Sequence, residues 1–151
     1  MRLLLDKLWR LILKTYILNE ISLIVPCYNE QESLPVFFNE INKTMKTMGC
    51  TYELLFVDDG SSDNTLEILK AASENDPHIR YISFSRNFGK ESAMYAGFCN
   101  AVGEYVAVMD ADMQDPPALL PEMATYLESG EYDSVATRRV TRQGEPKIRS
   151  F

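Results

Sequence analysis

Two acidic clusters stand where apolar, strand-like runs stop: Asp58-Asp59-Gly60-Ser61 after residues 53–57, and Asp110-Ala111-Asp112-Met113-Gln114 after residues 105–109. Carboxylates two positions apart, as in Asp110 and Asp112, point the same way if strand geometry persists for one more step. Hard oxygen donors of this kind suit Mg2+ or Mn2+ bridging a diphosphate, and Gln114 adds a neutral oxygen in the same direction. Such an ion offsets charge that develops on a departing phosphate. An Asp-X-Asp triplet alone is more often a solvated turn. Its position after an apolar strand, together with a second acidic strand end, favours a metal-assisted nucleotide site. Like charges gathered in one crevice repel unless a cation or a set of donors compensates them.

The first cluster also carries turn chemistry, since Asp and Ser cap helices and Gly permits a tight turn. Capping falls to Ser62 or Asp63. Asp58 is then left at the strand tip, able to accept hydrogen bonds from a base or ribose, and Asp58 with Asp59 exceeds what a cap needs. Pro26-Cys27-Tyr28-Asn29-Glu30 follows the first apolar run. Tyr28 can stack on a base there while Asn29 and Glu30 supply polar contacts; an ordinary strand-to-helix turn is the plainer reading. Arg86 and Lys90 flank the tip of a third strand and bring positive charge to an acidic crevice, which suits a nucleotide diphosphate. Surface salt bridging is the alternative. The basic tail (Arg138, Arg139, Arg142, Lys147, Arg149) is a solvated arm, or a second anion site for an acceptor or a membrane lipid.

Other chemistries are poorly supplied. No GxGxxG follows the first strand, so a dinucleotide fingerprint fails. Gly89-Lys90-Glu91 resembles the end of a phosphate-binding P-loop but lacks the earlier Gly and the Ser/Thr after Lys. His78 is the single histidine and sits beside Pro77, which makes a Ser-His-Asp hydrolase a weak reading. The net charge of −7 argues against nucleic-acid binding by phosphate neutralisation. Cys27, Cys50 and Cys99 are widely spaced with no CxxC pair, as in a reduced, intracellular protein without a zinc site.

Charge is uneven along the chain. Residues 1–20 hold four basic and two acidic side chains, a net of +2, so with a total of −7 the remaining residues carry −9. This opening segment is apolar but cut by Asp6, Lys7, Arg10 and Lys14, too often for a spanning helix. Leu4, Leu8, Leu11, Ile12 and Leu18 share one helical face. That pattern fits an amphipathic helix, lying on a membrane surface or packing on the domain or a partner.

The elements that must position the clusters follow from periodicity. Short apolar runs at 21–26, 53–57, 79–84, 105–109 and 134–137 read as strands, the first of them apolar enough to be buried on both faces. Between them, helical spacing recurs: Leu34, Phe37, Phe38, Ile41, Met45 and Met48; then Leu66, Leu69, Ala71 and Ala72; then Ala93, Gly97 and Ala101; then Leu119, Leu120, Met123, Tyr126 and Leu127. Ser33 is the expected cap of the first helix and Gly49 its stop. The alternation βαβαβαβαβ predicts an α/β domain, a mainly parallel sheet with helices on both faces. In such sheets ligands bind at the carboxyl ends of strands, where both acidic clusters fall.

Taken in order, Val-Pro-Cys-Tyr-Asn-Glu, Val-Asp-Asp-Gly-Ser-Ser-Asp-Asn-Thr, Ser-Arg-Asn-Phe-Gly-Lys-Glu and Met-Asp-Ala-Asp-Met-Gln-Asp-Pro-Pro resemble the motifs of family 2 glycosyltransferases of GT-A fold. The likeness runs over residues 21–151 and is strongest to polyprenyl-phosphate glycosyltransferases, the group of bactoprenol glucosyltransferases and dolichol-phosphate mannose synthases. It implies a Rossmann-like nucleotide-sugar-binding domain over 21–151, incomplete at its C-terminus before the acceptor half. Carried over, Pro26, Tyr28, Asn29, Glu30, Asp58 and Asp59 would contact the donor, and Arg86 and Lys90 its diphosphate. Asp110 and Asp112 would be catalytic and, with Gln114, hold Mg2+ or Mn2+. Arg138 and Arg149 would meet the lipid phosphate. The implied reaction is inverting transfer of a sugar, with UDP-glucose the expected donor, to a polyprenyl phosphate at the cytoplasmic face of the plasma membrane. The rival expectations are a non-catalytic nucleotide-sugar-binding module and a nucleotidyltransferase, the latter lacking a Gly-rich triphosphate loop.

Overall fold

A computed structural model describes residues 21–137. Two compact units divide at Ala118. The first is a four-stranded, wholly parallel sheet of order β3-β2-β1-β4. Its strands are β1 (Ile21–Cys27), β2 (Tyr52–Asp58), β3 (Ile79–Ser83) and β4 (Tyr105–Val108). Helices α1 (Leu34–Met48), α2 (Thr65–Asn75) and α3 (Lys90–Asn100) make the crossovers.

β1 and β2 form the centre, and Leu23, Ile24, Val25 and Leu54 through Val57 have no exposed surface. Continuous apolar runs are what two covered faces demand. The register pairs Val25 with Phe56 and Ile24 with Leu55, so alternate residues face opposite layers. Phe37 and Phe38 of α1 meet Phe56 edge-on at 6.0 and 5.3 Å between ring centroids. On the other face Ala93 of α3 packs with Ile24 and Val57. Gly97 lets α3 approach closely, because a Cβ there would lie 2.3 Å from Ile24 Cγ2. By the right-handed crossover rule α2 lies on the α1 side, since β1, β2 and β3 step in one direction. The return to β4 runs through α3 on the opposite side.

Local signals explain most boundaries. Pro35 falls in the first turn of α1, where its missing N–H costs nothing, and Gly49 ends the helix at φ 64°. Ser33 occupies the cap position but makes no side-chain cap bond; the N–H groups of Ser33 and Leu34 donate instead to Glu30 O. Before α2, Asp63 Oδ1 accepts from Thr65 N at 2.9 Å, so Asp63 supplies the cap and Asn64 takes the boundary position.

The second unit contributes α4 (Leu120–Glu128), preceded by a 3-10 turn at Pro117–Leu119, and Tyr126 packs edge-on to Tyr132. The fifth strand expected at 134–137 is not formed. These residues are irregular, and all but Val135 are exposed. A four-residue run becomes a strand only where a ladder and a buried face receive it. The expected helix over 1–20 and the basic tail from Arg138 lie outside the described residues. Among the described residues no helix is long and apolar enough to cross a membrane.

Opposite the carboxyl edge, the start of β2 buries Glu53 at 5% exposure. Its Oε1 accepts from Ser22 Oγ and from Val102 N, its Oε2 from Arg80. Ser22 Oγ in turn accepts from Gly103 N at 2.8 Å. Burial pushes the Glu53 carboxyl upward, but the bonds from Ser22, Val102 and Arg80 outweigh it and hold it below the usual range.

Candidate functional site

At the carboxyl edge four loops meet around a cleft of about 260 Å³. Pro26, Tyr28 and Glu30 line it from the end of β1, Asp59 from the end of β2, and Asn87, Gly89 and Lys90 from the loop before α3. Asp110 and Asp112, past β4, complete it. Both acidic clusters therefore reach one hollow, with Asp59 rather than Asp58 representing the first.

Asp58 lies beneath the surface at 1% exposure and does not line the cleft. Its Oδ1 accepts from Ser61 N and its Oδ2 from Ser83 Oγ, fixing the turn and the neighbouring strand. Asp59 is also buried, and its two oxygens accept from Phe88 N at 2.7 Å and Gly89 N at 2.9 Å. It clamps the loop that carries Lys90. Gly60 is required beside it: φ is +68°, and a Cβ would lie 2.3 Å from the Arg86 carbonyl carbon.

The first two loops are cross-braced. Asn29, at φ 57°, donates its N–H to Ser61 Oγ, and its Oδ1 accepts from Ser62 N. Glu30 N donates to Thr65 Oγ1 at 2.7 Å, Gln31 N to Asp63 Oδ2, and Asn64 N to Gln31 Oε1. Asn29 thus serves as a brace, while the half-exposed Tyr28 ring stands at the cleft. Arg86 is not in the lining; its guanidinium stacks over Phe88 at 4.5 Å from the ring centroid.

Lys90 Nζ lies 2.6 Å from Asp110 Oδ1 and 2.7 Å from Oδ2. Asp112 is exposed, and its Oδ1 accepts from Gln114 N at 3.0 Å across the Met113 turn at φ 62°. Gln114 itself is outside the lining. No group of three Asp, Glu, His or Cys converges on a metal position among the described residues. Two carboxylates short of a closed cage fit Mg2+ or Mn2+, which keep waters and take further oxygens from bound phosphates. The donor chemistry of Asp110 and Asp112 is therefore compatible with such an ion.

Cys27 also lines the cleft, at 2% exposure. Burial pushes its thiol strongly upward, and the charges of Glu30, Asp58 and Asp110 add to this. It is a packed thiol and no nucleophile. Asn87 and Gly89 stand in the Ser-Arg-Asn-Phe-Gly-Lys-Glu motif, but neither residue type marks a cleft contact by itself. The signal that could have marked this loop was a glycine directly before a helix, here at φ 98°. His78 is exposed and pairs with Asp76 away from the cleft lining.

Residues 22–150 match the family model described as glycosyl transferase family 2. The chain belongs to that family. It is 45% identical over 127 residues to the undecaprenyl-phosphate 4-deoxy-4-formamido-L-arabinose transferase of Proteus mirabilis, a match covering 83% of this chain and 39% of that protein. The chain thus spans about two fifths of the length of the curated relatives it matches. Among solved structures, this family 2 chain shares the fold of the Pyrobaculum calidifontis mannosyltransferase PcManGT in complex with GDP-Man and Mn2+. That likeness has a TM-score of 0.61 and 24% identity over 71% of this chain and 32% of the other. Staphylococcus aureus TarS 1-349 with UDP-GlcNAc gives a TM-score of 0.58 and 25% identity over 73% and 31%. The family 2 sheet is GT-A-like, as the motifs implied. The glucose expectation finds no support, because the polyprenyl-phosphate relatives are named for a formamido-arabinose.

Proposed function

We propose that this chain supplies the donor site of a metal-assisted glycosyltransferase that passes a 4-deoxy-4-formamido-L-arabinose-type sugar from a uridine diphosphate to a polyprenyl phosphate at the cytoplasmic membrane face. The reading rests on one observation: Lys90, Asp110 and Asp112 gather with Tyr28 and Glu30 in a single cleft at the strand ends. The names of the curated relatives support the sugar and lipid, and TarS with UDP-GlcNAc supports the uridine nucleotide.

In this reading Tyr28 and Glu30 bind the nucleoside, with Pro26 shaping the floor. Asn29, Asp58 and Asp59 hold the loops in place, and Arg86 lies at the margin. Asp110 and Asp112, with Gln114 adjoining, hold a divalent ion, which when bound supplies positive charge to the leaving diphosphate. The lipid phosphate oxygen attacks the anomeric carbon from the far side, and the bond to the diphosphate oxygen breaks with inversion. An acceptor that is already a phosphate anion needs no strong general base. Arg138 and Arg149, outside the described residues, are proposed to meet that phosphate.

Calorimetry with UDP and GDP, each with and without Mn2+, tests the donor site. UDP is expected to bind in the presence of Mn2+ and GDP more weakly. Equal UDP affinity with and without the ion overturns the metal assignment.

A further inference from the structure

The cleft lining holds four carboxylates, from Glu30, Asp59, Asp110 and Asp112, against one lysine among the described residues. Asp59 is committed to the Phe88 and Gly89 N–H groups. The lysine, Lys90, does not spread its charge over the cleft: its ammonium sits within 2.7 Å of both Asp110 oxygens. Those oxygens are the ones a hard divalent cation would take. The pair is also solvent-accessible, at 53% and 38% side-chain exposure for Lys90 and Asp110. Exposed pairs of this sort are weak and exchange readily.

We propose that Lys90 is a built-in counter-ion that occupies the Asp110 carboxylate before donor binding and competes with divalent metal for it. This inference rests on the donor-site reading above and adds a positioning role for a residue otherwise read only as a diphosphate contact. Lys90 lowers the repulsion among the cleft carboxylates ahead of binding and keeps free metal affinity modest. Released from Asp110, its ammonium remains on the cleft wall, where diphosphate charge would be placed. Metal and nucleotide binding are thereby coupled: the nucleotide offers Lys90 a second anion, which lowers the cost of giving up the first.

The test is Mn2+ titration without nucleotide, followed by electron paramagnetic resonance of the free ion, on wild type, Lys90→Met and Lys90→Arg. Lys90 is an exposed first residue of α3, so circular dichroism is expected to be unchanged. Lys90→Met should bind Mn2+ about three- to tenfold tighter, and Lys90→Arg within about twofold of wild type. At saturating Mn2+, Lys90→Met should bind UDP about tenfold more weakly. The gain in Mn2+ affinity should shrink in an Asp110→Asn background. Unchanged or weaker Mn2+ binding by Lys90→Met, or an undiminished gain in the Asp110→Asn background, overturns the counter-ion role. If wild type still shows Mn2+-dependent UDP binding, the donor site stands without it. No response to Mn2+ in wild type or Lys90→Met overturns both.

Discussion

Glu53 at the start of β2 and Asp110 just past β4 are carboxylates of one sheet, each paired with a basic side chain. Glu53 is buried, and the hydroxyl of Ser22 and the backbone N–H of Val102 both donate to the oxygen that Arg80 leaves. Asp110 is half-buried and meets the flexible, exposed ammonium of Lys90. A buried carboxylate with fixed donors on every side holds elements together, and removing it strands those donors. A carboxylate whose partner is an exposed lysine is free to exchange that partner for another cation. Position in the sheet separates the two uses: the amino edge is sealed, whereas the carboxyl edge is open.

Mutating the two ends in turn breaks the comparison if it is wrong. Asp112→Ala should lower Mn2+-dependent UDP affinity about 100-fold while leaving the melting temperature nearly unchanged, because the side chain is exposed. Calorimetry and thermal melts measure the two halves, and unchanged UDP affinity removes the metal role. Glu53→Ala should do the reverse, destabilising by about 2–3 kcal/mol in urea unfolding with UDP affinity preserved.

The same glutamate sets a pH dependence. Its folded pKa is lowered, so its contribution is fully present above the ordinary glutamate value near 4.3 and is lost as pH falls through the folded one. Stability should therefore drop less steeply below about pH 4 in Glu53→Gln than in wild type.

Gly60→Ala probes the boundary between the two roles, since its backbone abuts Arg86 and positions the Lys90 loop. A loss of about 1–2 kcal/mol in stability, with several-fold weaker UDP binding, is expected. A stability loss with no change in binding would show that the loop before α3 does not set the cleft.

Much of this was legible from residue types. Strands and helices of the sheet follow from apolar runs and 3.6-residue spacing. The gathering of Asp110, Asp112 and Lys90 was legible because charges at strand ends have one crevice to enter. The run at 134–137 misled because strand propensity says nothing about whether a partner is present. The division of labour between Asp58 and Asp59 was also hidden. Adjacent carboxylates look alike in sequence, yet strand alternation and the path of the 84–89 loop send one beneath the surface and the other to the cleft wall. Arg86 stands outside the lining for a related reason: the aromatic ring of Phe88 two residues on offers its cation a nearer seat.

The strand order carries a kinetic consequence. β1 is made first but ends up interior, and its second edge is closed only when Tyr105–Val108 arrives. Until then a nascent chain presents the unpaired amides of its most apolar segment, a template for intermolecular pairing. The early-emerging half of this sheet should thus be the stage at which a chaperone is most useful.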